Sequence, residues 1–202
     1  MKVRLYVEGG PRGTHADGLR RLKNSLKQHL MRLDAKLSSL NVSPCGSTDE
    51  TIRDYAHAVR ECESNCTPAL LVDSDAPVLA SPGQHLAQKL NSAKVPKSAR
   101  QHLFLMVQCM EAWLVTDQVA LENCYGSSMK TVQFPPNPDI EAVQKKDIFA
   151  ALDSAARGTP TRRYHKIRDG ARILAELRPE SVAGRSKHAR TLHKFLRESV
   201  QE

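Results

Sequence analysis

Acidic residues follow three hydrophobic stretches of this sequence, and their chemistry favours binding of a hard metal ion. Glu8 follows the first stretch and Glu111 follows the third. Asp73 and Asp75 both follow the second stretch, and residues two apart on an extended chain point to the same side. Like charges held this close are costly unless a cation neutralises them. Carboxylate oxygens alone favour Mg²⁺ or Mn²⁺, so the pattern predicts a site for one of these ions.

Each of these acids also has a simpler interpretation. Glu8, taken alone, is equally consistent with a solvated acid in a loop after a strand. Ser74 or Asp75 is of the type that caps a turn through its side-chain oxygen. Both interpretations stay open at the level of single residues.

The patterns around the acids predict strands that alternate with helices. Alternating and β-branched residues predict a strand at 2–8, and apolar runs predict buried strands at 68–73 and 102–107. Leucines at helical spacing predict an amphipathic helix over 15–35, and a single helix is expected over 109–123. The predicted fold class is α/β, with a mainly parallel sheet flanked by helices. Ligands of such sheets bind beyond the carboxyl ends of the strands, where the acids lie.

The charge of the chain is concentrated in its C-terminal quarter. The 202 residues carry a formal net charge of +8, at 40% hydrophobic and 26% charged content. Residues 157–202 contain twelve Lys/Arg and five Asp/Glu, which is +7 of that total. This composition argues against a membrane protein and against a disordered one. The basic region predicts a polyanionic partner such as nucleic acid.

Cysteine usage and the N-terminal residues bear on where the protein works. The chain has 5 cysteines, an odd number without a paired framework, which is typical of a reducing compartment. The opening MKVRLYVEGG has no apolar core of a secretion signal, and no apolar run reaches the roughly 20 residues that span a bilayer. We expect a cytoplasmic protein with no membrane partner.

The motifs taken together resemble a known catalytic fold. A hydrophobic strand before Glu8-Gly9 and another before Asp73-Ser74-Asp75 are similar to the Toprim fold of topoisomerases, primases and the overcoming-lysogenization-defect nucleases. LYVEGG, LLVDSDAPV, HLFLMVQCMEAWLVTD, the Asn-Pro and Lys-Lys-Asp stretch, and RYHK resemble a bacterial family of Toprim-like proteins of unassigned function. The resemblance covers residues 1–180. It implies a Toprim-like catalytic core at 1–130, with a helical, basic C-terminal region at 131–202 packed on that core.

The resemblance also implies a role for particular residues. Glu8 would be a metal ligand or the general base that acts on an attacking water. The other implied metal ligands are Asp73, Asp75 and Glu111. Lys166 is matched to a lysine near the scissile phosphate, with Lys146 as the alternative. The related nucleases carry an Asp soon after the Glu-Gly pair, whereas the next acid here is Asp17, so the number of Mg²⁺ or Mn²⁺ ions stays at one or two.

Basic residues near these motifs are candidates for nucleic-acid contact. The candidates are Arg12, Arg162, Arg163 and Arg168. The glycine-rich loop around Arg12 precedes a helix and is suited to a phosphate, although a tight turn explains its glycines as well. A solvated face is the simpler explanation of the Arg162-Arg163 pair. His165 is a candidate proton donor or phosphate contact, and an exposed histidine without a role is equally consistent.

The expected function is a metal-dependent endonuclease that cleaves DNA or RNA, with tRNA among the RNA candidates. The resemblance further implies an effector of an anti-phage defence module, encoded beside an ATPase that is its partner. Two alternatives from other classes are a Toprim-type nucleotidyl or phosphoryl transferase and a non-catalytic nucleic-acid-binding adaptor. The sequence leaves homo-oligomer formation open.

Overall fold

The chain folds around one parallel sheet. A computed structural model describes residues 2–9, 16–61, 66–129, 134–160 and 162–201. Four strands pair in the order β2-β1-β3-β4, and every pair is parallel. The strands are β1 Lys2–Glu8, β2 Asn41–Cys45, β3 Cys66–Asp73 and β4 Leu103–Met106. The predicted α/β class with helices around a mainly parallel sheet is confirmed.

The strand order creates a switch point beside β1. The chain leaves β1 towards β2 on one side and later returns to β3 on the other side. The connections around such a point diverge, so a crevice opens beyond the carboxyl ends of the two central strands. Glu8 ends β1 and Asp73 ends β3. The topology therefore brings these two acids to the same edge.

Ten α-helices lie in the described part of the chain. They are α1 Ala16–Leu33, α2 Thr48–Glu61, α3 Pro82–His85, α4 Ala87–Ser92, α5 Glu111–Leu114, α6 Gln118–Tyr125, α7 Lys145–Ala156, α8 Arg168–Glu176, α9 Pro179–Arg185 and α10 Lys187–Ser199. Short 3₁₀ helices occupy Ala35–Ser39, Lys97–His102, Gly126–Ser128 and Ile140–Ala142. Among these described residues, no helix is both long and apolar enough to cross a membrane.

One predicted helix is divided in two. The single helix expected over 109–123 is broken between α5 and α6 at Asp117. Asp117 caps α6 by accepting from Ala120 N, and its carboxylate also accepts three N–H donors of Arg178 at 2.8–2.9 Å. The break is therefore stabilised by a partner 61 residues away in sequence, and local periodicity carries no sign of it.

The sheet is buried on both faces. On one face Tyr6 packs edge-on against Tyr55 of α2 at a ring distance of 6.3 Å. On the other face α1 and the C-terminal helices cover the sheet, with Leu30 and Leu192 fully buried. A fully buried Leu side chain contributes about 1.5–3 kcal/mol relative to an exposed one. The helices beyond residue 134 thus share a core with the sheet.

Candidate functional site

Glu8 is held at the end of β1 by two donors. Thr48 Oγ1, in the first residue of α2, donates to Glu8 Oε2 over 2.9 Å. The backbone N–H of Asp73 donates to the same oxygen over 3.2 Å. Burial raises the pKa of Glu8 above its usual value even though these two bonds oppose the shift, and the charge of Asp75 adds to it.

Asp73 is the most strongly perturbed acid of the site. Its Oδ1 accepts from the backbone N–H of Met110 over 2.9 Å, and only 9% of the residue is exposed. Burial raises the pKa of Asp73 to about 8, and the charge of Glu8 is the second cause. Two desolvated carboxylates thus repel each other at one edge of the sheet. A proton or a metal cation relieves that repulsion.

Asp75 points elsewhere and has its own partner. The strand ends at Asp73, and Asp75 has φ 58°, in the left-handed region. The two side chains therefore do not project from one extended segment, which corrects the prediction made from their spacing. Asp75 Oδ1 lies 3.0 Å from Lys145 Nζ, and its side chain is 64% exposed. Burial lowers the pKa of Lys145, but the bond and charge of Asp75 outweigh it and raise the pKa.

Glu111 lies next to the same site, fully buried in α5. Its Oε1 is 3.3 Å from Lys166 Nζ and accepts from Tyr164 OH over 3.4 Å. Its Oε2 has no hydrogen-bond partner within the described ranges. Burial lowers the pKa of Lys166, but Glu111 and Asp73 outweigh burial and raise it. Lys166 is therefore an ammonium ion at neutral pH.

Glu8, Asp73 and Lys166 open onto a common cavity of about 380 Å³. The polar side chains of its lining are Glu8, Asp73, Tyr164, His165 and Lys166. The larger apolar side chains are Leu22, Met106, Met110 and Ile167. The cavity thus contains a pair of acids and a lysine together with a mainly apolar wall.

The acid pair suits an ion that needs few protein ligands. Over the described ranges, no group of three or more His, Cys, Asp or Glu side chains is arranged to hold a metal. This excludes, for those residues, the closed protein cage typical of structural zinc. Mg²⁺ is usually bound through one or two carboxylates together with waters and substrate phosphates. Glu8 and Asp73 fit that requirement, because both are desolvated and each has one oxygen fixed by hydrogen bonds.

Comparison with known proteins assigns the chain to a family. The family profile described as "Domain of unknown function (DUF4276)" matches residues 15–197. The chain belongs to the DUF4276 family. Neither a curated protein nor a solved structure matches it. Asp73, Glu111 and Lys166 lie within the matched range of the DUF4276 domain, and Glu8 precedes it.

One lysine of the DUF4276 site was missed by sequence reasoning. The sequence named Lys146 as the alternative to Lys166, but Lys146 is exposed on α7. Its neighbour Lys145 is the residue that reaches Asp75. The Lys-Lys pair in the sequence indicated that a lysine of this segment reaches the site. Which of the two lysines does so depends on how α7 packs against the sheet edge.

Tyr164 was also missed as a part of the site. Its hydroxyl lies between Glu111 and the backbone of α8, where a Cβ added at Gly170 would come within 2.5 Å of it. Burial strongly raises the pKa of Tyr164, with the charge of Glu111 as the second cause. Tyr164 therefore stays a neutral donor to Glu111.

The arginines proposed for nucleic-acid contact fall into three situations. Arg12 lies outside the described residues. Arg162 and Arg163 are exposed just before the lysine of the site. Arg168 donates from Nε and Nη2 to the two carboxylate oxygens of Asp169, at 2.7 and 3.1 Å, which ties up its guanidinium.

Several guanidinium groups of the C-terminal quarter form hydrogen bonds within the fold. Several of its arginines donate to buried carboxylates or to backbone carbonyls of other elements. These pairs are Arg168–Asp169, Arg172–Cys124, Arg178–Asp117, Arg185–Pro135 and Arg190–Ala183. Bonds to carbonyls leave the charge of these arginines unchanged, so the formal +7 remains, but their guanidinium groups are already held by the fold.

Proposed function

We propose that this DUF4276 protein is a Mg²⁺- or Mn²⁺-dependent nuclease of the Toprim type, which hydrolyses phosphodiester bonds. The observation that carries the proposal is the pairing of Glu8 and Asp73. They come from neighbouring strands at the switch point, are desolvated side by side, and share a cavity with the ammonium of Lys166.

Under this proposal the Glu8–Asp73 pair holds one metal ion. Asp75 and Glu111 each already have a lysine ammonium within 3.3 Å. Glu8 and Asp73 have no such close ammonium partner in the described part of the chain, so their repulsion is the one that an ion relieves. The bound ion would supply Lewis-acid activation of the phosphate and of a water.

The protein's own groups would orient the phosphodiester. Lys166 Nζ, held by Glu111, offers a positive charge to the phosphate oxygens in the same cavity as the acids. Thr48 and the Asp73 backbone keep one Glu8 oxygen fixed, which leaves the other oxygen for the metal ion or for the proton of an attacking water. Arg162 and Arg163 would contact the flanking backbone.

The wider role is part of the same proposal and rests on the resemblance. The substrate would be DNA or RNA, with tRNA among the candidates, because backbone contacts alone do not select between them. The protein would act in the cytoplasm as the effector of a defence module with an ATPase partner. Whether it works as a homo-oligomer is a separate question for solution measurement.

Metal titration and cleavage test the proposal together. We expect wild-type protein to bind Mn²⁺ with a stoichiometry near one in calorimetry and to cut plasmid DNA or tRNA only when the ion is present. Asp73→Asn should abolish both. Asp49→Asn is the matched control, since Asp49 is 70% exposed and pairs with Lys89 on the surface. Normal cutting by a folded Asp73→Asn protein would refute the metal site.

Two other outcomes select the alternatives. Nucleotide incorporation in place of released ends would identify a transferase. Nucleic-acid binding with no Mn²⁺ binding would identify a non-catalytic adaptor.

A further inference from the structure

We infer that the cavity beside the acid pair accepts the base of an unpaired nucleotide, whose phosphate then lies against Lys166. The inference rests on the proposed function, and it adds the substrate class: single-stranded nucleic acid rather than an intact duplex. It depends on the lining, the size and the position of the cavity.

The lining suits a flat, mainly apolar ring. Leu22, Met106, Met110 and Ile167 supply most of the large apolar side chains of the lining. Methionine sulfur is polarisable and makes favourable contacts with aromatic rings. Pockets for small ligands are mainly apolar, with a few polar groups that fix orientation. The composition of this cavity matches that description.

The size limits what can enter. About 380 Å³ lies at the lower end of the range of roughly 300–1,000 Å³ for small-molecule pockets. Small residues at Gly18 and Ala171 contribute to the free space of the lining. A base inside a stacked duplex cannot reach such a pocket unless it leaves the stack, which costs a few kcal/mol. A base in a single-stranded segment avoids most of this cost.

The position of the cavity brings the bound base close to the groups that would act on its phosphate. Glu8, Asp73 and Lys166 line the same cavity as the apolar side chains. Ile167 directly follows Lys166, lines the cavity and is 46% exposed, which places it at the rim. A nucleotide with its base on the apolar wall would therefore place its phosphate near the lysine and the acids. This charge complementarity favours a nucleotide over an uncharged apolar ligand.

Filling the cavity tests the inference without changing the acids or Lys166. Ala171→Phe, on α8, should weaken binding of adenosine 5′-monophosphate at least tenfold in calorimetry and leave binding of inorganic phosphate unchanged. The matched control is Ala150→Phe, at an exposed position of α7. Equal affinity of the Ala171→Phe and wild-type proteins for the nucleotide would refute the inference.

Wild-type protein alone provides a second test, in case Ala171→Phe fails to fold. We expect a single-stranded oligonucleotide to be cut at least tenfold faster than its duplex. An abasic residue at the cut site should remove most of this advantage. Cleavage of DNA and RNA versions of the oligonucleotide shows which nucleic acid supplies the unpaired base. Equal cleavage rates for the single strand, the duplex and the abasic oligonucleotide would refute base insertion but support the nuclease. Loss of nucleotide binding in Ala171→Phe, with no metal-dependent cutting by wild type, supports the base pocket but refutes the nuclease.

Discussion

The backbone N–H of Asp73 donates to Glu8 Oε2 over 3.2 Å, which joins the ends of two neighbouring strands at the site. Glu8 is therefore positioned by the neighbouring strand, whereas the Asp73 carboxylate accepts from the backbone N–H of Met110. The register in which Val7 faces Leu71 brings the two carboxylates to the same edge of the sheet. The acid pair consequently depends on β1 and β3, which are the two central strands of the sheet.

Loss of the Thr48 hydroxyl should weaken metal binding through Glu8. Thr48→Val removes one of two donors to Glu8 Oε2, and a hydrogen bond to a charged group contributes about 1.5–3 kcal/mol. We expect Mn²⁺ affinity to fall about tenfold or more by calorimetry, and Thr48→Ser to restore it. Thr51→Val is the control, because Thr51 lies in the same helix and its Oγ1 donates to Ser47 O. Unchanged affinity in Thr48→Val would show that Glu8 is not held for an ion.

Removal of the Lys166 ammonium should affect stability and cleavage separately. Lys166→Met leaves the fully buried Glu111 without its cation. An unpaired charge that is completely buried lowers the free energy of unfolding by several kcal/mol. Since 54% of the Lys166 side chain is exposed, we expect a loss of about 1–3 kcal/mol in urea unfolding. Adding Glu111→Gln should restore stability but not cleavage. Lys194→Met, at a side chain 76% exposed, is the control. Cleavage restored along with stability would assign Lys166 a structural role only.

The two adjacent lysines of α7 should behave differently. Lys145 Nζ is 3.0 Å from Asp75 and acts electrostatically on Asp73, whereas Lys146 is exposed. Lys145→Met should therefore lower the cleavage rate about tenfold, and Lys146→Met should lower it less than twofold, because only the former removes positive charge from the site. Initial cleavage rates at fixed Mn²⁺ measure the difference. Equal losses would mean that both lysines act through general attraction of the substrate.

The sequence predicted the parts of this site that depend on strand order. Glu8 and Asp73 meet because each ends a hydrophobic strand, and the carboxyl ends of neighbouring parallel strands share one edge. Lys145 and Tyr164 could not be predicted in the same way. Their partners lie 70 and 53 residues away, and packing of whole helices decides which side chains face the edge.

The contacts of the basic residues in the C-terminal quarter also could not be predicted from the sequence. A count of arginines predicts positive potential but contains no information about their partners. Arg178 and Arg185 each form several hydrogen bonds that connect distant segments, and this uses their donors inside the fold. The break at Asp117 shows the same limit in part, because Asp117 accepts from Arg178 as well as capping α6 locally.

Two buried histidines should make the protein sensitive to acid. His29 and His193 pack against each other at a ring distance of 5.5 Å, and burial lowers their pKa values to about 4 and about 3. The unfolded chain binds protons at these sites below about pH 6.5, while the folded chain does not. Their contribution to stability is therefore complete above pH 6.5 and is lost as the pH falls towards 4, at about 1.4 kcal/mol per pH unit for each histidine.

His193→Leu separates this effect from general acid unfolding. Neither ring nitrogen of His193 has a hydrogen-bond partner in the described part of the chain, so an apolar replacement should cost little at pH 7.5. The melting temperature of the variant should fall less steeply between pH 6.5 and 4 than that of wild type. His57→Leu, at an exposed position, should leave the slope unchanged. Equal slopes for wild type and His193→Leu would contradict the assignment.

Gly9 should tolerate no side chain, because it lies in close contact with Cys45 at the end of β2. A Cβ at Gly9 would overlap the carbonyl oxygen of Cys45 and the side chain of Leu19, and the Gly9 N–H donates to Gly46 O over 3.1 Å. Gly9→Ala should therefore destabilise the fold by about 1–3 kcal/mol and displace Glu8, its neighbour. Gly184→Ala is the opposite case, since a Cβ added there in α9 would meet no atom within 4 Å and alanine favours a helix by about 1 kcal/mol. Urea unfolding should thus shift in opposite directions for the two variants, and equal midpoints would contradict the close approach at Gly9.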